Sequence, residues 1–413
     1  MQPQHVSDDL PAFDELDGLR LRRRDGTSSR RPAVFRPEQL DAIRRAEACA
    51  AEPLRGIVTS DGPVAGLFPL SDHGVDTSPL AAAASAFLAG LAPQQRAECQ
   101  FPMDHPSWRY WANPAKFYLR HGLCLEDLDR PGRNAALEVM ARCLSDYGLT
   151  LVRDIMRLNR TIGELRGEEA ELNEWLYWFS VYGQPEAGQP WGWQLDGHHA
   201  NVNCAVIGGQ VVITPTFLGA EPVFAWSGRY AGTRVFQQEE GRASELFGLL
   251  SPDQQQVATL GGMLPGDLFL GAFRDNFEMN YQGIRYDGLS AAQQAVALDL
   301  VGLYLGRADR PQEQLTMARV LDHAGALHFA WIRASDRDDV FYYRIHSPVI
   351  LVEFEHVPGV MFDNDQPTPN HIHTVVRTPN GNDYGADLLR QHHERHHRAR
   401  PPFQWTLAAD NAC

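Results

Sequence analysis

Two short stretches hold most of the side chains able to do metal chemistry: Gly197-His198-His199 and Asn370-His371-Ile372-His373. In an extended chain His371 and His373 share one face of a strand, close enough for one cation to bridge them, because side chains alternate with a period of two. The same alternation sends His198 and His199 to opposite faces of a strand running from Trp191 to Ile207, so only one of them is expected at the site. His199 shares its face with Asn201 and Asn203, as a ligand or substrate contact would. His198 lies with Asp196, whose carboxylate can orient an imidazole. His199 is therefore the expected ligand, with His198 as a fourth ligand or a catalytic base.

A carboxylate inside an apolar strand is costly unless it is paired or metal-bound. That singles out Glu353 in Val349-Ile-Leu-Val-Glu-Phe-Glu355 as a further ligand or general base. Arg377 follows His371 and His373 on the same face. It is expected to clamp a substrate carboxylate or phosphate, with an ion pair to Asp383 as the structural alternative. Tyr343 and Arg344, on the preceding strand, can supply a phenol or guanidinium. Two histidines, a carboxylate and open positions suit Fe(II) and oxidative chemistry on a small anionic molecule. Zn(II) or Cu can occupy the same donors, and zinc with Glu353 as base would make the protein a hydrolase. The third reading is a non-enzymatic binding protein whose histidines are satisfied by hydrogen bonds.

One further pattern is a decoy. His393-Glu394-Arg395-His396-His397 contains H-E-x-x-H, which places two histidines on one helix face. The third ligand a zincin needs is missing, since Asp410 is the only later acid. There is no G-x-x-x-x-G-K-[ST], no G-x-G-x-x-G and no G-x-S-x-G, which argues against nucleotide-driven chemistry and an α/β-hydrolase elbow.

The elements that must position these residues follow from periodicity and punctuation. Residues 1–32 read as a disordered basic arm, with Arg20, Arg22, Arg23, Arg24, Arg30 and Arg31, and 401–413 as a tail. Helices are expected from Pro37 to Glu52, from Ser78-Pro79 to Leu91, and from Arg133 to Leu165 with a break near Gly148. Strands begin at Trp175, and Gly208-Gly209 marks a hairpin. Helices at 242–250, 290–305 and 312–322 precede a second β block of 328–333, 340–346, 349–355 and 371–377, and a last helix spans 386–397. Strands grouped apart from helices and joined by tight turns predict an α+β fold. A helical N-terminal part would pack on a largely antiparallel sheet, with residues 33–400 as one large domain.

The 413 residues are 44 % hydrophobic and carry a formal charge of −15, ample for a large core and unsuited to general nucleic-acid binding. No apolar run is long enough to span a membrane, and the first residues lack the charged-then-apolar pattern expected of a secretion signal. Six scattered cysteines without C-x-x-C suggest reduced thiols and a cytoplasmic location. A small-molecule substrate is the expected partner.

Several stretches resemble the domain-of-unknown-function family numbered 3500. They are Gly56-Ile-Val-Thr-Ser-Asp-Gly62, Trp191-Gly-Trp, Gly197-His-His, Thr214-Pro-Thr-Phe-Leu-Gly-Ala220, Pro265-Gly-Asp267, His328-Phe-Ala-Trp331, Tyr342-Tyr-Arg-Ile345, Asn370-His-Ile-His373 and Asn382-Asp-Tyr-Gly385. The resemblance extends from about Arg55 to His392 and implies no activity. Arg377-Thr378-Pro379 stands where the resemblance leads one to expect Arg-Asp-Pro.

Overall fold

A computed structural model describes Leu21, residues 35–334 and residues 339–396. The basic arm, apart from Leu21, and the C-terminal tail lie outside the described residues. Among the described residues, eight helices have ten or more residues: α1 (Pro37–Ala51), α2 (Ser78–Ala89), α3 (Arg130–Cys143), α4 (Asp146–Arg166), α5 (Gln237–Leu249), α6 (Ala291–Leu305), α7 (Arg310–Asp322) and α8 (Ala386–His396). Eight strands have five or more: β1 (Tyr177–Gly183), β2 (Trp191–Gly197), β3 (Ala200–Ile207), β4 (Thr216–Ala220), β5 (His328–Arg333), β6 (Phe341–His346), β7 (Leu351–Pro358) and β8 (Pro367–Arg377).

The strands lie in the order β5-β6-β7-β8-β4-β3-β2-β1, each neighbour antiparallel. Two meanders, one from each β block of the chain, thus join into a single sheet where β8 pairs with β4. Short strands complete it to twelve. The architecture is α+β with a largely antiparallel sheet, as the grouping of strands predicts. The helical layer, however, draws on α5, α6 and α7 as well as on the N-terminal part.

Local signals explain the longest helix. Ser145 caps α4 by accepting from the Gly148 amide, and Gly167 ends it in the left-handed region at φ 62°; a cap of this kind contributes about 1 kcal/mol. Leu151, Val152, Ile155, Met156 and Ile162 recur at helical spacing and are buried. Gly208 and Gly209, at φ 57° and 80°, turn β3 into a short return strand as their sequence predicts.

The two faces of the sheet differ in kind. On the helix face Trp193 donates to Cys143 Sγ, Phe247 stacks on Trp331 at 4.6 Å, and the hydroxyls of Tyr304 and Tyr343 lie 2.5 Å apart. The other face is covered by irregular chain, mainly residues 102–121 and 261–276. Irregular backbone leaves amides and carbonyls unpaired, so the strands facing it must offer polar side chains. Gln194 donates to Trp108 O, Asp196 accepts from Ala112 N, and Glu353 accepts from Leu270 N. Each bond contributes roughly 1 kcal/mol net, yet costs about 1–3 kcal/mol if left unmade. The histidines sit on this coil-covered face, at the seam between the meanders.

Candidate metal centre

His371 and His373 project from β8 on the coil-covered face, as the two-residue period requires, and both are buried. The third histidine arrives differently from the sequence-based expectation. Trp191 to Ile207 is not one strand: Gly197 pairs with Ala200, and His198-His199 form the two-residue turn between β2 and β3. Their rings therefore do not diverge to opposite faces. They stack, with centroids 4.0 Å apart and planes 24° from parallel.

His199 adopts φ 63°, the left-handed region that glycine or asparagine fills at lower cost. A non-glycine residue there carries strain of about 1–3 kcal/mol, which persists where the surroundings or a function require that side chain. Asn113 Oδ1 holds the turn by accepting from His199 N at 3.1 Å. Opposite it, Gly219 lets the strands close in. A Cβ on Gly219 would sit 2.9 Å from His373 Cδ2 and 3.1 Å from His199 Cδ2, so a larger residue would push both rings away.

The three Nε2 atoms converge. His371 Nε2 lies 3.0 Å from His373 Nε2 and 3.2 Å from His199 Nε2. Nitrogens bound tetrahedrally to one cation at about 2.0–2.1 Å would be about 3.3 Å apart. Among the described residues, His199, His371 and His373 are the one group of three or more side chains placed to share an ion.

Hydrogen bonds define where the protons are. His371 Nδ1 lies 2.7 Å from Pro358 O, and a carbonyl can only accept, so Nδ1 carries the hydrogen and Nε2 the lone pair. His373 Nδ1 is likewise committed to Asp267 Oδ1 at 2.9 Å, while Asn113 Nδ2 donates towards its Nε2 at 3.2 Å. Two lone pairs thus face each other across 3.0 Å, a repulsive arrangement that a shared cation or an extra proton would relieve. Burial, reinforced by the neighbouring histidines, lowers the pKa of His199 and His371 well below the usual imidazole value, so an extra proton is disfavoured. Neutral imidazoles with fixed outward Nδ1–H bonds are the form in which histidine binds metal.

Around this core, Glu221 Oε2 stands 3.6 Å from His371 Nδ1 and accepts from the amides of Met361 and Val360. It thereby shapes the turn that follows Pro358. Asp267 belongs to the covering segment, and its side chain is 64 % exposed beside a His373 that is nearly buried. The cluster meets solvent on that side.

The remaining sequence candidates occupy other positions. His198 is no part of the convergent set. Its Nδ1 pairs with Asn159 Oδ1 at 2.8 Å, and burial, with the nearby Arg120 charge, lowers its pKa to about 3, so it backs the His199 ring as a neutral wall. Glu353 shares the histidine face, but Tyr342 donates to one oxygen at 2.5 Å and the Leu270 amide to the other at 2.8 Å. The apolar strand tolerates it because hydrogen bonds, not an ion, satisfy it.

Arg377 is fully buried. Its Nη2 bonds Asp275 and its Nε bonds Asp383, both at 2.7 Å, and Nη1 donates to Leu270 O. Burial opposes its charge, yet the two carboxylates outweigh that and hold its pKa above the ordinary value. It forms a structural ion pair, the alternative to an anion clamp, because it is fully buried and two carboxylates already compensate its charge. Tyr343 faces the helix layer, on the opposite side of the sheet from the histidines. Arg344 lies on the histidine face but pairs in register with Glu353, two strands from β8, and donates to Gln282.

Glu353, Glu355 and Arg377 share a task that sequence reasoning did not assign. Glu355 accepts from Gly266 N, so the three side chains bind residues 266–271 to the sheet and deliver Asp267 to His373. Asn113, Asp267 and Glu221 were missed. Pro265-Gly-Asp267 stood out only for its resemblance, and an Asn or Asp in a loop has no periodicity to mark it.

Of the H-E-x-x-H segment, His393 to His396 lie on α8, and His397 lies outside the described residues. His392 and His396 approach with ring centroids 4.7 Å apart, but the described residues show no third ligand with them. No helix of the described residues is long and apolar enough to cross a membrane.

The model of a protein family of unknown function, DUF3500, matches residues 73–386. The chain belongs to this family. The match includes all three convergent histidines, together with Asn113, Asp267 and Glu221. No curated protein and no solved structure matches the chain.

Proposed function

We propose that this protein is a metal-dependent enzyme whose divalent cation is held by the Nε2 atoms of His199, His371 and His373, and that it acts on a small organic molecule. The observation that carries the reading is the 3.0 Å contact between two lone-pair nitrogens whose other nitrogens are committed as donors. Three neutral imidazoles leave a fourth position for water or substrate, the donor set of zinc sites that polarise a carbonyl or activate water near neutral pH. Hydrolysis is therefore favoured over oxidative chemistry at iron, whose two-histidine, one-carboxylate set would require the Glu353 oxygens that Tyr342 and Leu270 occupy.

The chain's own residues have definable parts in such a reaction. Asp267 and the Pro358 carbonyl hold two rings in the correct tautomer. Asn113 Nδ2, 3.2 Å from His373 Nε2, can donate to a substrate oxygen placed at the cluster. Glu355 pairs in register with His373, and burial, with Asp267 and Glu353 nearby, raises its pKa to about 9. At neutral pH it is a protonated acid, suited to give a proton to a leaving group rather than to take one from water.

Elemental analysis of untagged protein tests the reading. Stoichiometric zinc is expected, lost in His199→Ala and His371→Ala but retained in His198→Ala. Stoichiometric iron with oxygen consumption would instead support the oxidative reading. Metal-free protein whose melting ignores both zinc and chelators would leave a binding protein with hydrogen-bonded histidines.

A further inference from the structure

On the opposite face of the sheet, between β3, β4 and β8 and the helices α4, α6 and α7, lies a cavity with about 780 Å³ of empty space, its open side included. Its walls include Val152, Val202, Leu218 and Val376, none of which offers a polar atom. Concave sites with largely apolar walls and a few polar groups accommodate small organic molecules.

Two arginines line the same space. Arg319, on the face of α7 that also presents Gln312 and Thr316, is half-buried with its guanidinium 5.2 Å from the Phe68 ring centroid. Among the described residues no carboxylate pairs with it, and burial alone lowers its pKa. Arg307 is buried deeper. Its Nη2 bonds Glu239 at 2.8 Å, while its Nε and Nη1 have no partner among the described residues. Glu239 compensates the charge of Arg307, so the cavity is left with one positive charge, that of Arg319. A half-buried cation without a counter-charge beside apolar walls is costly by itself and favourable once an anion shares the space.

We propose that this cavity is a second binding site, separate from the histidine cluster, for an apolar monocarboxylate whose carboxylate pairs with Arg319 and whose hydrocarbon part fills the space between Val202, Leu218 and Val376. The single uncompensated charge selects a monoanion over a phosphate dianion. The aliphatic walls select an alkyl or aryl tail over a polar one. Leu218 and Val376 belong to β4 and β8, the strands that also carry Gly219 and the two histidines of β8, so both sites share a backbone.

Calorimetric titration of the full chain with octanoate, octanol and inorganic phosphate tests this. Saturable octanoate binding at one site is expected, with octanol at least about tenfold weaker, the worth of one charge-assisted hydrogen bond, and no phosphate binding at this site. Arg319→Gln should weaken octanoate by a similar factor and Arg319→Lys by less. Thr316→Trp, at a half-buried helix position, should block the cavity without disturbing the core. Octanoate must still bind His371→Ala, because a carboxylate can also bind a metal. Absence of saturable octanoate binding, or binding abolished in His371→Ala but intact in Arg319→Gln and Thr316→Trp, overturns the proposal and leaves the metal reading untouched.

Discussion

Asp267 offers the most direct perturbation of the proposed centre that spares the ligands themselves. Its Oδ1 lies 2.9 Å from His373 Nδ1 and, together with Asn113 Nδ2 at the ring's other nitrogen, fixes the tautomer of this ring. Partners of this type typically account for about 10–100-fold in metal affinity. The side chain is 64 % exposed, so solvent screens much of the charge. The lower end therefore applies: Asp267→Ala should weaken zinc binding about tenfold, equivalent to about 1.4 kcal/mol. Asp267→Asn, whose amide oxygen can still accept from Nδ1, should lose less. Because the residue is exposed, metal-free stability should change by no more than about 0.5 kcal/mol. Competition between protein and a fluorescent zinc chelator near neutral pH gives the affinity, and urea melts of the metal-free proteins give the stability. An affinity equal to wild type, or a metal-free stability loss as large as the affinity loss, refutes the argument that Asp267 acts through His373.

The structural assignment of Arg377 predicts that Arg377→Met, which strands Asp383 while Asp275 keeps its ion pair with Arg109, costs about 3–5 kcal/mol in chemical denaturation; a loss under 1 kcal/mol with altered substrate affinity would restore the anion-clamp role. Glu355 predicts a pH signature: its folded pKa of about 9 lies above the ordinary value of 4.5, so the folded state binds the proton more tightly than the unfolded chain. Its contribution is full below 4.5 and lost as pH rises towards about 9, by at most about 1.4 kcal/mol per unit. Glu355→Gln cannot ionise, so its stability relative to wild type should grow across that window in urea melts; a difference independent of pH would mean that Glu355 is charged in the fold.

Much of this protein was legible in one dimension. The α+β class, the grouped strands and the Gly208-Gly209 hairpin follow from local patterns that operate within a few residues. So does the shared face of His371 and His373, because the period of a strand belongs to the backbone and needs no partner. The cost of an acid in an apolar strand also correctly marked Glu353 as a residue needing a partner.

Which partner it found was decided by the tertiary structure. The physical demand on Glu353, a pair of donors, is met equally by a cation or by a tyrosine hydroxyl and an amide, and only the path of residues 261–276 over the sheet chose the latter. Arg377 met Asp275 from that same segment for the same reason. His199 shows the reverse case. Alternation along an assumed continuous strand predicted divergence from His198, but the pairing of Gly197 with Ala200 turned the chain and stacked the two rings. Asn113, Asp267 and Glu221 reach the site from irregular chain or a strand end, where side-chain direction has no period to read. Sequence periodicity determines which way a side chain points from its own strand; what it points at depends on the loops that close over that face.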